Sequence, residues 1–113
     1  MNGSILEVLQ KARDTYGNKN QIMVAIEELN ELACILCKYP RYEEHDKAIE
    51  ELKEKVVDEV ADVLIVLNHI VNIFELSYTD DIDPRIEKKT ERLSRWLEKS
   101  ESMEQTTIDR EVK

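Results

Sequence analysis

The chain has 113 residues, 42% of them hydrophobic and 36% charged, and 16 basic against 25 acidic residues leave a formal net charge of −9. That length suits one domain with a real core and no need for disulfide or structural-metal staples. The acidic balance repels nucleic-acid phosphates and anionic lipid, so neither nucleic acid nor membrane is an expected partner.

Composition removes several chemistries. Gly3 and Gly17 are the only glycines, too few for the backbone cradles of P-loop or dinucleotide-binding proteins. There is no Gly-x-Ser-x-Gly turn, and His45 and His69 are the only imidazoles, which leaves little for a hydrolase triad. The N-terminal MNGSILEVLQKAR lacks the basic start, apolar run and cleavage site of a secretory signal, so a cytoplasmic location is expected. The most apolar stretch, Val60 to Phe74, is broken by Asp62, Asn68 and His69 and falls short of the ~20 residues that span a bilayer. It belongs to a protein core.

Two prolines, two glycines and abundant Glu, Lys, Leu and Ile predict an all-α fold, an antiparallel helical bundle of about four helices. Ser4 is the expected N-cap of the first helix, with Glu7 closing a capping box, and Gly17 stops it after Tyr16. Asn18 or Asn20 caps the second, from Asn20 to Lys38, with Ile22, Ile26, Leu29, Ala33 and Leu36 spaced as a buried stripe. Pro40 ends it, and Tyr39 to Glu44 reads as a loop. The third and longest helix runs from His45 to Leu76, and its second half is apolar on nearly every side. Such a helix needs cover all round, which self-association to a homo-oligomer, dimer or tetramer, provides. Ser77 to Asp83 is loop-like. Asp83-Pro84 then opens a fourth helix ending near Glu98. Residues 1–100 are expected to form a single helical domain and 101–113 a flexible C-terminal tail.

Most acids have a plain explanation. Glu43, Glu44, Glu50, Glu51 and Glu54 lie among lysines at helical spacings, as an exposed, ion-paired face would. Two clusters differ. In Glu27-Glu28-Leu29-Asn30-Glu31, three anions crowd one side of a helix that has no lysine or arginine between Lys19 and Lys38. Like charges at i, i+4 destabilise an isolated helix by a few tenths of a kcal/mol. In Glu59-Val60-Ala61-Asp62 the acids are again i, i+3, and Asp62 shares its face with Glu59, Val66 and His69 among aliphatics. A buried carboxylate neutralises itself or finds a cation, and this helix has no lysine or arginine after Lys55. Antiparallel packing would bring both clusters together, and oxygen-only ligands select a hard cation such as Mg2+ or Mn2+. The same spacings also suit acids that sit at helix edges.

Glu-Glu-x-x-Glu at Glu27 to Glu31 followed by Glu-x-x-Asp at Glu59 to Asp62 resembles the signature of the MazG-like, all-α nucleoside triphosphate pyrophosphohydrolases. With the apolar helix after Asp62, the intervening polar loop and a later basic helix, the resemblance covers roughly Gln21 to Leu97. It implies Mg2+-dependent hydrolysis of a nucleoside triphosphate between the α and β phosphates, giving monophosphate and pyrophosphate in nucleotide-pool house-cleaning. The resemblance makes Glu28, Glu31, Glu59 and Asp62 metal ligands and Glu27 an auxiliary catalytic acid that orients or deprotonates water. It places phosphate contacts on the basic helix, at Lys89 and Arg92, with Lys88 and Arg92 an equally helical pair; the same residues also read as a solvated basic face. Relatives often have asparagine about two turns beyond the second-motif aspartate, where this chain has His69, which reads equally as a core or interface histidine. Cys34 and Cys37 read as small core thiols, and Phe74 and Trp96 as packing residues. Lys38 to Tyr42 offers two aromatics and two bases for base stacking or phosphate contact, or ordinary loop chemistry.

Two other readings compete. One is a non-enzymatic helical adaptor whose apolar helix is a partner interface. The other is a di-iron bundle, which needs Glu-x-x-His pairs that neither His45 nor His69 provides.

Overall fold

The computed structural model describes residues 1–42 and 46–112, with side chains described for 1–41 and 48–104. Five α-helices follow in order: α1 Gly3–Tyr16, α2 Asn18–Leu36, α3 Tyr39–Tyr42, α4 Asp46–Ile73 and α5 Asp83–Val112, with one π-helical turn at Tyr78–Ile82. No strand occurs among the described residues, and the fold is all-α. The chain divides into two compact units, one from Met1 to Glu75 and one from Leu76 onward.

In the first unit Asn2, not Ser4, caps α1. Its side-chain oxygen accepts from the Ile5 N–H at 3.0 Å, and the Ser4 hydroxyl donates to the same oxygen at 2.8 Å. Both residues are good caps; Asn2 prevails because capping two residues earlier recruits Ser4 as well. Gly17 ends α1 as expected: at φ 86 it occupies the left-handed region where a Cβ is strained, and its N–H donates to the Arg13 carbonyl at 2.8 Å. Gly17 also precedes α2, so no asparagine side chain caps that helix.

Helices α2 and α4 form the main packing pair. Lys38 shares a shallow depression with Leu52 and Lys55, whereas Glu28 meets Glu59 and Asp62, so the two run antiparallel. The packed stripe of α2 is Gln21, Ala25, Glu28, Leu32 and Ile35, and that of α4 is Leu52, Val56, Glu59, Val63, Val66 and Ile70, all buried or half-buried. Burying an aliphatic side chain contributes ~1.5–3 kcal/mol, so these stripes hold the pair.

The expected stripe is therefore displaced by one position. Ile22 is half-buried, but Ile26, Leu29, Ala33 and Leu36 are exposed. Helix α4 likewise keeps a second stripe, Val57, Val60, Leu64 and Leu67, in solvent. Each long helix is apolar on two faces, and only one is used within the chain. The 4-3 spacing identifies an apolar face, but choosing between two such faces depends on the opposing helix.

Tyr39–Tyr42 makes a turn of helix in place of a loop. Pro40 is tolerated there because a first turn needs no amide donor, and the Arg41 N–H reaches the Lys38 carbonyl at 3.0 Å. The expected start of the third helix at His45, and Glu43 and Glu44 of the acidic face, lie outside the described residues. Glu50, Glu51 and Glu54 are exposed, and among the described residues the one ion pair is Arg95 with Glu91, on α5. Helix α4 stops at Ile73, short of Leu76, because Glu75 takes φ 54 and turns the chain left-handed.

In the second unit Ser77 organises the turn. Its hydroxyl oxygen accepts from the Asp80 N–H at 3.1 Å, and its own N–H donates to the Asp81 carboxylate at 2.7 Å. The Asp83 N–H reaches back to the Tyr78 carbonyl in the wide π register. Pro84 lacks an N–H, and there the register gives way to α5. That helix passes the expected end at Glu98 and continues to Val112, through residues expected to be a flexible tail. No glycine or proline follows Pro84 to stop it. All described side chains of α5 are exposed, including Trp96 at 63%. Phe74, at the end of the first unit, is also 63% exposed, so neither aromatic packs as expected. Among the described residues no single helix is long and apolar enough to cross a membrane.

Candidate metal centre

The site arises where the two acidic motifs cross the packed stripes of α2 and α4. Glu28 is one turn beyond Ala25, on the face that α2 turns to its partner, and Glu59 and Asp62 lie one turn apart on the facing side of α4. Each of the three is half-buried and offers an oxygen, and all three oxygens lie within 4.8 Å of one another.

The electrostatics are unfavourable in the absence of a cation. One carboxylate oxygen of Glu28 and one of Glu59 are buried with no hydrogen-bond partner, a costly state for an acceptor. Burial first, then the charges of Asp62, Glu31 and Glu59, push the Glu28 carboxyl from 4.5 up to about 7. Glu59 is raised for the same kinds of reason, burial first and then Glu31 and Asp62. Two orphaned oxygens beside a third carboxylate, with only oxygen donors, suit a hard divalent cation of the Mg2+ or Mn2+ type.

The sequence-derived residues separate into groups. Glu28, Glu59 and Asp62 are brought together. Glu31 is exposed, yet its carboxyl lies close enough to act on both Glu28 and Glu59. Glu27 is exposed, about 100° round α2 from Glu28 and outside the convergence. In the second unit, Lys89 and Arg92 line a concavity of about 360 Å3 together with Lys88 and Arg85. Both lysines line it. Arg85 was overlooked; the signal was its i, i+3 and i, i+4 spacing to the two lysines.

His69 is not in the acidic cluster. It is buried, 3% exposed, and its Nδ1 lies 2.9 Å from an Arg13 guanidinium nitrogen that also donates to the Asn68 side-chain oxygen at 3.2 Å. Arginine only donates, so Nδ1 is the acceptor and Nε2 carries the hydrogen. Burial, then the Arg13 charge, lowers the His69 pKa below 6.5. His69 is thus a core histidine that ties α1 to α4. Cys34 and Cys37 are free and exposed, not core thiols, because they lie off the packed stripe of α2. Of the Lys38 to Tyr42 segment, Tyr39 and Arg41 are exposed, and the Tyr42 side chain is outside the described residues.

Comparison with known proteins gives no match: no family model, no curated protein and no solved structure matches the chain.

Proposed function

We propose that the protein is a MazG-like, Mg2+-dependent nucleoside triphosphate pyrophosphohydrolase that works in the cytoplasm as a homo-oligomer. The observation that carries this reading is the meeting of Glu28, Glu59 and Asp62 across α2 and α4 with two orphaned buried oxygens. Glu31 completes the ligand set. Together these carboxylates would hold a divalent cation, Mg2+ or in its place Mn2+, which would supply charge neutralisation at the substrate phosphates and a more acidic water.

The chain's own residues do the rest. Glu27, exposed on the neighbouring position of α2, is assigned the orientation of the attacking water and the acceptance of its proton. Water adds at the α-phosphorus, the bond from that phosphorus to the α–β bridging oxygen breaks, and pyrophosphate leaves with the bonding pair, giving the monophosphate. Lys89 and Arg92, with Lys88 and Arg85 in the same concavity, offset the charge of the phosphates in a protein of net charge −9.

The unused stripes of α2 and α4 support self-association, since Ile26, Leu29, Leu64 and Leu67 are each 40% exposed or more and a second copy covers them. A non-catalytic adaptor would also use these stripes, but it gives no reason to hold unpartnered carboxylates between two helices. The test is product analysis: with Mg2+ and a panel of ribo- and deoxynucleoside triphosphates, phosphorus NMR should show monophosphate and pyrophosphate in equal amounts. Orthophosphate as the sole inorganic product, or no turnover, overturns the reading.

A further inference from the structure

The second unit carries another concavity, of about 550 Å3, at the π-helical turn. Its lining includes the apolar side chains of Leu76, Ile82 and Ile86 and the carboxylates of Asp80 and Asp81. It shares Arg85 and Lys89 with the four-cation concavity next along α5. From Ile82 to Arg92 the contributing positions repeat at three- and four-residue intervals along one face, over roughly 15 Å of helix axis. One end of this face is apolar with carboxylate acceptors, and the other is cationic.

We propose that the π-turn concavity holds the base of the nucleotide and that Asp80 and Asp81 select bases bearing an exocyclic amino group. This rests on the pyrophosphohydrolase reading and names the substrate class for it. A triphosphate with its phosphates on Lys89 and Arg92 directs its nucleoside along α5 to a concavity within the ~300–1,000 Å3 typical of small-molecule sites. The apolar lining side chains take the ring face. Carboxylates only accept hydrogen bonds, so they favour the amino groups of cytosine, adenine or guanine, whereas uracil and thymine set a carbonyl oxygen against them.

The acids are held for this role. The Ser77 N–H fixes one Asp81 oxygen at 2.7 Å, and the Asp80 N–H is tied to the Ser77 hydroxyl at 3.1 Å. The Asp80 carboxylate accepts no hydrogen bond among the described residues. Single π turns recur at functional sites.

The experiment compares kcat/KM of the full chain with Mg2+ on dCTP, dATP and dGTP against dUTP and dTTP, for the wild type, Asp80→Asn and the Asp80→Asn/Asp81→Asn double variant. Circular dichroism checks that each variant is helical. The wild type should favour the amino-bearing substrates by at least about tenfold, a hydrogen-bond-based discrimination. Asp80→Asn should erase that ratio mainly through KM, because an amide can donate to a keto oxygen. If all five substrates release pyrophosphate at equal efficiency, or both variants keep the wild-type ratio, the base site is wrong and the pyrophosphohydrolase reading stands. If none releases pyrophosphate, both fall.

Discussion

Glu28→Gln is the perturbation that best exposes the energetics of the acid cluster. The Glu28 carboxyl rises from 4.5 to about 7 in the folded protein, so the folded state holds its proton more tightly than the unfolded one. The resulting stability is complete below pH 4.5 and is lost as pH rises through about 7. At about 1.4 kcal/mol per unit the ceiling is about 3.5 kcal/mol; water reaches the cluster and screens it, which leaves about 1 kcal/mol. For a domain of this size that corresponds to about 5 °C in melting temperature. His69 works in the opposite direction, because a lowered pKa makes its contribution disappear as pH falls below 6.5, so the Glu28 effect is read as the difference between wild type and Glu28→Gln from pH 4.5 to about 7.

Thermal melts with a chelator should therefore show the wild type losing stability relative to Glu28→Gln as pH rises from 4.5 to about 7. Saturating Mg2+ should reverse the trend. At about 100 times Kd it contributes roughly 2.7 kcal/mol, more at high pH where protons compete less, and Glu28→Gln should lose most of that gain. A wild-type melt indifferent to pH and Mg2+, or a Glu28→Gln variant with the wild-type slope, refutes the reasoning.

Further outcomes follow from other parts of the molecule. On the proposed reading Asp62 is a metal ligand, so Asp62→Asn should lower turnover by about a thousandfold or more with the helical circular dichroism unchanged; undiminished activity would remove Asp62 from the ligand set. Ile26→Glu combined with Leu64→Glu should give a monomer by multi-angle light scattering, because both side chains occupy exposed stripes, at 49% and 53%; an unchanged mass would show that self-association does not use them. Arg13→Met leaves the buried His69 Nδ1 without its donor and should cost about 1–3 kcal/mol, read as faster amide exchange throughout α1. Exchange as slow as in the wild type would mean that Leu9 alone docks that helix.

The two acidic motifs were legible because each sets carboxylates one helical turn apart in a segment without basic residues, and the fold then brings Glu28 to Glu59 and Asp62. The helical class was legible for a related reason, with Gly17 and Pro84 at helix ends and no β-rich run. What sequence could not decide was a choice between equals. Asn2 and Ser4 are both competent caps. Helix α2 has two apolar stripes, and selection of the one through Ala25 and Leu32 depends on α4. Arg13 and His69 are joined across a separation of 56 residues, which no local spacing reveals. The length of α5 was missed because apolar periodicity fades beyond Leu97 while intrinsic helix propensity does not.

Manganese binding followed by electron paramagnetic resonance tests the central claim most directly. Titrating Mn2+ into the wild-type protein should deplete the free-ion signal, Mg2+ should restore it by competition, and Asp62→Asn and Glu28→Gln should leave it close to that of buffer. If the wild type and both variants take up the ion equally, or none does, the carboxylates between α2 and α4 do not form a cation site.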